Sequence, residues 1–293
     1  MGRLVTAEFR KVLTTNLWWA LLIPTAVVAV VWSWVGSLLT TTVVDAMSQS
    51  TVLRRFGVDL GEQSWSVLFF ARTINISAIF PMIFGALALS SEITRRTVTT
   101  SYLTAPNRGS LLGAKLITYA AWGAAYGVVV SGFASLGILL GSHPQQLPDA
   151  TGWLLMAFAG VLSCLLWTLL GVGVGALLGN SIAALLSLLI YTLLVENLIG
   201  LWLPQHWPGV LINGSADGLP GVLASQLLND QLDTVQQIRL LPDSSRQVIT
   251  DGIQGLAGAR GAFDWWASGL IFAGWAAVFV VAGWLVSRTR DIT

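Results

Sequence analysis

Apolar residues gather along this chain into six long runs, and polar residues fill the stretches between them. The runs cover about 17–39, 67–90, 116–140, 153–178, 183–203 and 265–286. Each reaches the ~20 residues a helix needs to cross a hydrocarbon core. The pattern predicts an all-α integral membrane protein: six transmembrane helices forming a single transmembrane domain over 1–293. Before the first run, Leu4, Val5, Phe9, Val12 and Leu13 recur at helical spacing against Arg3, Glu8, Arg10 and Lys11. That spacing predicts an amphipathic interfacial helix; the plainer reading is a charged flank that orients the first span. Trp18 and Trp19 open that span and Trp32 and Trp34 lie near its end, which suits the two membrane interfaces.

The polar stretches divide by charge. Ser91–Lys115 holds Arg95, Arg96, Arg108 and Lys115 with Glu92 as its only acid. The two ends of the chain add Arg3, Arg10, Lys11, Arg288 and Arg290. Short flanks rich in lysine and arginine stay in the cytoplasm, so six spans place both termini and the Ser91–Lys115 connection inside. The connection over Thr40–Ser66 has the makings of a short helical turn at Val52, Leu53 and Phe56. Pro204–Asp264 then becomes an extracytoplasmic helical insertion, residues 204–264. Within it Val222, Leu223, Leu227, Leu228, Leu232, Val235 and Ile238 follow helical spacing. A second helix there, capped by Asp243 or Ser244, carries Val248, Ile249, Ile253 and Leu256.

Within the spans, small and polar residues stand out. Gly123, Gly127, Ser131 and Ser135 form one smooth ridge on the third span, and Gly171, Gly175 and Gly179 another on the fourth. Small residues four apart let helix backbones approach closely, so both ridges are expected at packing seams. Arg72 and Asn75 lie near the outer end of the second span, Glu196 and Asn197 near that of the fifth. Ionisable residues inside a membrane are functional-site hypotheses by default. Snorkelling of Arg72 to the interface, or an Arg72–Glu196 pair, is the structural alternative.

Composition supports the membrane reading. The chain is 55% hydrophobic and 10% charged, with a mean hydropathy of +0.74; soluble domains carry about 25% charged residues. A net charge of +1 gives no global field for nucleic acid. The one cysteine, Cys164, forms no intrachain disulfide, and no Cys/His cluster has metal-ligand spacing. The first run is longer than the ~7–15 residues of a signal-peptide core and reads as an uncleaved helix. Gly109-Ser-Leu-Leu-Gly-Ala-Lys115 has the wrong spacing for a phosphate loop, and Gly171–Gly175 lies inside a span. His143 and His206 fall in outer loops. No catalytic, cofactor or metal site is expected, so any uphill work draws on an ion gradient or on a separate ATPase.

Here a resemblance enters. In layout, and in the motif positions Glu92, Thr97, Pro106, Arg108 and Lys115, the chain resembles the type-2 permease subunits of ATP-binding-cassette exporters. Glu8-Phe-Arg-Lys11 is similar to that family's opening. Arg96 stands where the family usually has glycine. The resemblance implies a cytoplasmic coupling helix between spans two and three that docks onto an ATPase subunit, with Glu92, Arg95, Arg96, Thr97, Tyr102, Pro106 and Arg108 as docking residues. Leu103 adds an apolar anchor there. It implies two ATP-binding subunits holding ATP and Mg, a second permease copy (identical or homologous), a bacterial cell membrane, and export of a hydrophobic drug, peptide or lipid. Arg72, Asn75, Glu196 and Asn197 become translocation-path candidates. Two other readings remain: an ion-coupled secondary transporter using Arg72 and Glu196, and a membrane-anchored sensor whose outer region binds a ligand.

Overall fold

A computed structural model describes residues 2–49, 60–97, 107–204, 207–235, 238, 240 and 242–289, with Arg108 and Thr289 described by backbone alone. No strand occurs among the described residues. Six helices are long and apolar enough to cross a membrane. They are span 1 (Leu17–Ser48), span 2 (Ser66–Ser77 and Ile79–Thr94), span 3 (Arg108–Gly141), span 4 (Ala150–Leu178), span 5 (Ser181–Ile190, Tyr191–Val195 and Glu196–Gly200) and span 6 (Trp265–Thr289).

Several boundaries differ from the hydropathy pattern, each for a local reason. Span 1 runs on to Ser48 because Thr40, Thr41 and Thr42 return their hydroxyls to carbonyls one turn back, which shields their polarity within the helix. Span 3 begins at Arg108, where Asn107 caps it by accepting the Ser110 amide at 2.7 Å. Arg108 and Lys115 are therefore helical residues, not loop residues. Span 2 is interrupted between Ser77 and Ile79. The Pro81 ring lacks an N–H and crowds the carbonyl four residues back, which is that of Ser77. Span 5 ends at Gly200, short of the expected 203.

Span 4 is the hub, packing against spans 2, 3 and 6. Its glycines make this possible. A Cβ on Gly171 would fall 2.3 Å from the Met82 carbonyl oxygen, and one on Gly175 would fall 2.2 Å from that of Ala86, both in span 2. Gly173 faces the opposite way, where a Cβ would meet the span 6 backbone at Phe279 and Val280 at 2.6 Å. The span 3 ridge packs lower on the same helix: Gly123 lies against Thr168, and Gly127 against Val161. The two ridges thus meet different partners rather than each other. Gly179 is in neither seam; with φ of 63° it ends span 4 as a left-handed cap.

The N-terminal helix, Gly2–Thr14, packs against the start of span 3. Its buried stripe contains Val12 and, unexpectedly, Glu8. At the other end of the bundle, one insertion helix spans Ile212–Leu232 and a second Asp243–Ala257. The first starts well before Val222 and is buried against spans 2, 4 and 6, so it belongs to the bundle instead of hanging outside it. Pro242, not Asp243 or Ser244, occupies the cap of the second, and Asp243 is its first helical residue. The turn expected at Val52, Leu53 and Phe56 lies outside the described residues, as does His206.

Candidate functional site

Two clusters of polar side chains lie at opposite ends of the bundle. The first surrounds the basic connection. Span 2 ends with the Arg96 amide donating to the Ile93 carbonyl at 3.1 Å and the Thr97 amide donating to the Glu92 carbonyl at 2.9 Å. This pair of bonds is a Schellman motif, which needs a left-handed residue after the cap. Arg96 fills that place with φ of 58°, the one non-glycine residue with positive φ among those described. Glycine takes this conformation without cost, whereas an L side chain pays roughly 1–2 kcal/mol.

Directly beneath this turn sits a buried ion network. The Lys115 ammonium is 0% exposed. It donates to Glu8 Oε2 at 2.7 Å and to Glu92 Oε1 at 2.5 Å. Lys11 donates to the same Glu92 oxygen. Two lysines and two glutamates thus join the N-terminal helix, the last turn of span 2 and the second turn of span 3. Burying an ammonium costs several kcal/mol, so the site is favourable only because both carboxylates are present and close. Around it, Phe84 stacks on Tyr119, Trp122 and Tyr126, and the Tyr126 hydroxyl donates to the Trp18 carbonyl at 2.7 Å. These rings hold the first turn of span 1 against span 3. A cavity of about 710 Å³ opens beside the network, between the elbow from the N-terminal helix into span 1, span 2 and the start of span 5.

The second cluster lies at the far end. Span 5 passes through one π-helical turn, Tyr191–Val195, immediately before Glu196. Such a turn breaks the regular carbonyl pairing, and π-bulges occur frequently at functional sites. Asn197 Nδ2 donates to the Thr192 and Leu193 carbonyls, and Asn213 Nδ2 donates to Thr192 as well, at 2.6 Å. Glu196 is 5% exposed, and its Oε1 accepts the Gly214 amide at 2.8 Å. Arg72 does not pair with Glu196. It donates to the Leu256 carbonyl at 2.7 Å and the Gly255 carbonyl at 2.9 Å, closing the C-terminal end of the second insertion helix. Asp217 stands within electrostatic reach of both Arg72 and Glu196; burial pushes its carboxyl up to about 7 against the pull of the arginine. Asn75, one turn from Arg72, has a buried amide with no hydrogen-bond partner on either atom.

The structure thus gathers the sequence candidates unevenly. Glu92 is buried inside the ion network, Arg95, Arg96 and Thr97 are exposed on the turn above it, and Arg72 and Glu196 approach a common aspartate. Asn197 faces its own helix's carbonyls. Tyr102, Leu103 and Pro106, with the Arg108 side chain, lie outside the described residues, and so does the body of the expected coupling helix. Sequence reasoning missed Glu8, Asn213 and Asp217 as site residues. Glu8 carried a signal: it falls on the apolar stripe of its helix, four residues after Leu4 and four before Val12. Asp217 carried none, because its helix is buried through contacts far apart in sequence. Neither comparison, with protein-family models or with curated proteins, finds a match for the chain.

Proposed function

We propose that this chain is the membrane-spanning subunit of an ATP-driven exporter. In this reading two ATP-binding subunits dock on the Ser91–Lys115 connection, both termini face the cytoplasm, and a second permease copy completes the path. ATP and Mg belong to the docked subunits, and the cargo is hydrophobic: a drug, peptide or lipid. The observation that carries the proposal is the ion network. Lys115 ties together Glu8 of the N-terminal helix and Glu92 at the end of span 2. A force applied to the connection at 98–106 is therefore delivered to three helices at once, rather than to a slack loop.

The left-handed Arg96 lends support. It adopts the backbone that glycine would favour, at the position where the resembling family carries glycine. A closing partner would rock the spans between inward and outward states, with Arg72, Asn75 and Glu196 as polar groups near the path. Co-purification tests the proposal. In mild detergent the chain should bring down an ATP-hydrolysing subunit identified by mass spectrometry, and Pro106→Ala with Arg108→Glu should abolish both its recovery and export. Export that survives the double substitution would refute the reading.

A further inference from the structure

The cavity beside the ion network has a polarity that the network itself does not explain. Leu17, Phe84 and Leu87 line it with apolar surface, and Lys11 and Arg95 bring cationic side chains to the same lining. Its volume, about 710 Å³, falls within the ~300–1,000 Å³ of pockets that hold small ligands. The charges around it do not cancel. Glu8 and Glu92 are matched by Lys11 and Lys115. Arg95 is exposed, with no counter-charge among the described residues. Glu92 also borders the cavity, but its carboxylate is taken by the two lysines. Lys11 keeps 43% of its side chain exposed. The depth of the cavity is set by its neighbours: Leu17 is followed by Trp18 and Trp19, and paired tryptophans at the end of a span mark the headgroup layer.

We propose that this cavity binds an anionic phospholipid. The phosphate headgroup sits on Arg95 and Lys11, and the first part of an acyl chain runs over Leu17, Phe84 and Leu87. A planar guanidinium suits a phosphate through paired hydrogen bonds. The positive charge of Arg95, which has no ion-pair partner among the described residues, selects a headgroup of net charge −1 over a zwitterionic one. The lipid bridges the N-terminal helix, span 2 and span 5 at the cavity's rim. This site needs only that the six apolar helices lie in a bilayer, and it stands whether or not an ATPase docks nearby.

Native mass spectrometry of the detergent-purified full chain tests it, with equimolar phosphatidylglycerol and phosphatidylcholine added. The chain should retain phosphatidylglycerol preferentially. Arg95→Ala, at an exposed position, should lower that retention by about tenfold, the effect of losing one charge-assisted hydrogen bond. Leu87→Trp should exclude lipid by filling the cavity, without altering charge. Equal retention of the two lipids, or preference unchanged in both variants, would overturn the proposal. So would displacement of the lipid by millimolar glycerol 3-phosphate, which would make this a site for a soluble anion.

Discussion

The Lys115 ammonium lies 2.7 Å from the Glu8 carboxylate, across 107 residues of sequence, and both side chains are buried. A contact of this kind fixes where the N-terminal helix sits relative to span 3. Lys115→Met would leave Glu8 buried without its cation and Glu92 with Lys11 alone. Breaking a buried pair by removing one partner costs about 3–5 kcal/mol. The melting temperature in detergent should drop accordingly. The triple variant Glu8→Met, Glu92→Met, Lys115→Met should recover most of the loss, because replacing a whole buried ion set by apolar residues of similar volume is often nearly neutral. A triple variant no more stable than Lys115→Met would contradict this account of the network.

Arg96 supplies a test in the opposite direction. Arg96→Gly should stabilise the chain by about 1 kcal/mol, since glycine relieves the left-handed strain. Arg96→Ala keeps the strain and should show no gain, which separates backbone relief from removal of the guanidinium. Denaturant titration of the three proteins reads both outcomes.

The seams around span 4 are close enough that one methyl group matters. Gly175→Ala would place a Cβ 2.2 Å from the Ala86 carbonyl oxygen, backbone against backbone, where nothing can swing aside. Overpacking of this kind costs roughly 1–3 kcal/mol. Gly132→Ala is the control: no atom lies within 4 Å of its Cβ, so it should be neutral or gain about 0.5–1 kcal/mol from helix propensity.

Asp217 makes stability depend on pH. Burial pushes its carboxyl up to about 7 in the folded chain, above the ~3.9 of a free aspartate. Between those values the folded state holds a proton that the unfolded state has lost, so stability falls as pH rises from about 4 to about 7. Asp217→Asn should remove that slope. Thermal melts of the two proteins at pH 5 and pH 8 check it: wild type should lose more on going to pH 8 than the variant does.

Much of the architecture was legible in the sequence because hydropathy and helix length report directly on spans. Five of the six spans start within a few residues of their apolar runs, span 3 starting earlier, and the second insertion helix lies where its apolar spacing put it, although Pro242 rather than Asp243 or Ser244 caps it. The ion network was not legible for the same reason that the spans were. Hydropathy assigns Lys115 and Glu92 to a solvated connection, whereas spans 2 and 3 extend as helices past their apolar runs and bring the two charges into contact. Long-range partners explain the other gap. Nothing local to Arg72 says that it will meet the carbonyls of Gly255 and Leu256, and nothing local to Tyr191–Val195 announces a π turn.

Docking of an ATP-binding subunit where spans 2 and 3 meet is tested most directly by crosslinking in cells. The only native cysteine, Cys164, is buried, so a cysteine at the exposed Thr97 gives a single reactive position. A bifunctional crosslinker should join Thr97→Cys to an ATP-binding subunit, while Asp251→Cys, exposed at the opposite end of the bundle, should give no such adduct. An adduct absent at Thr97→Cys, or equally abundant at Asp251→Cys, would contradict the account.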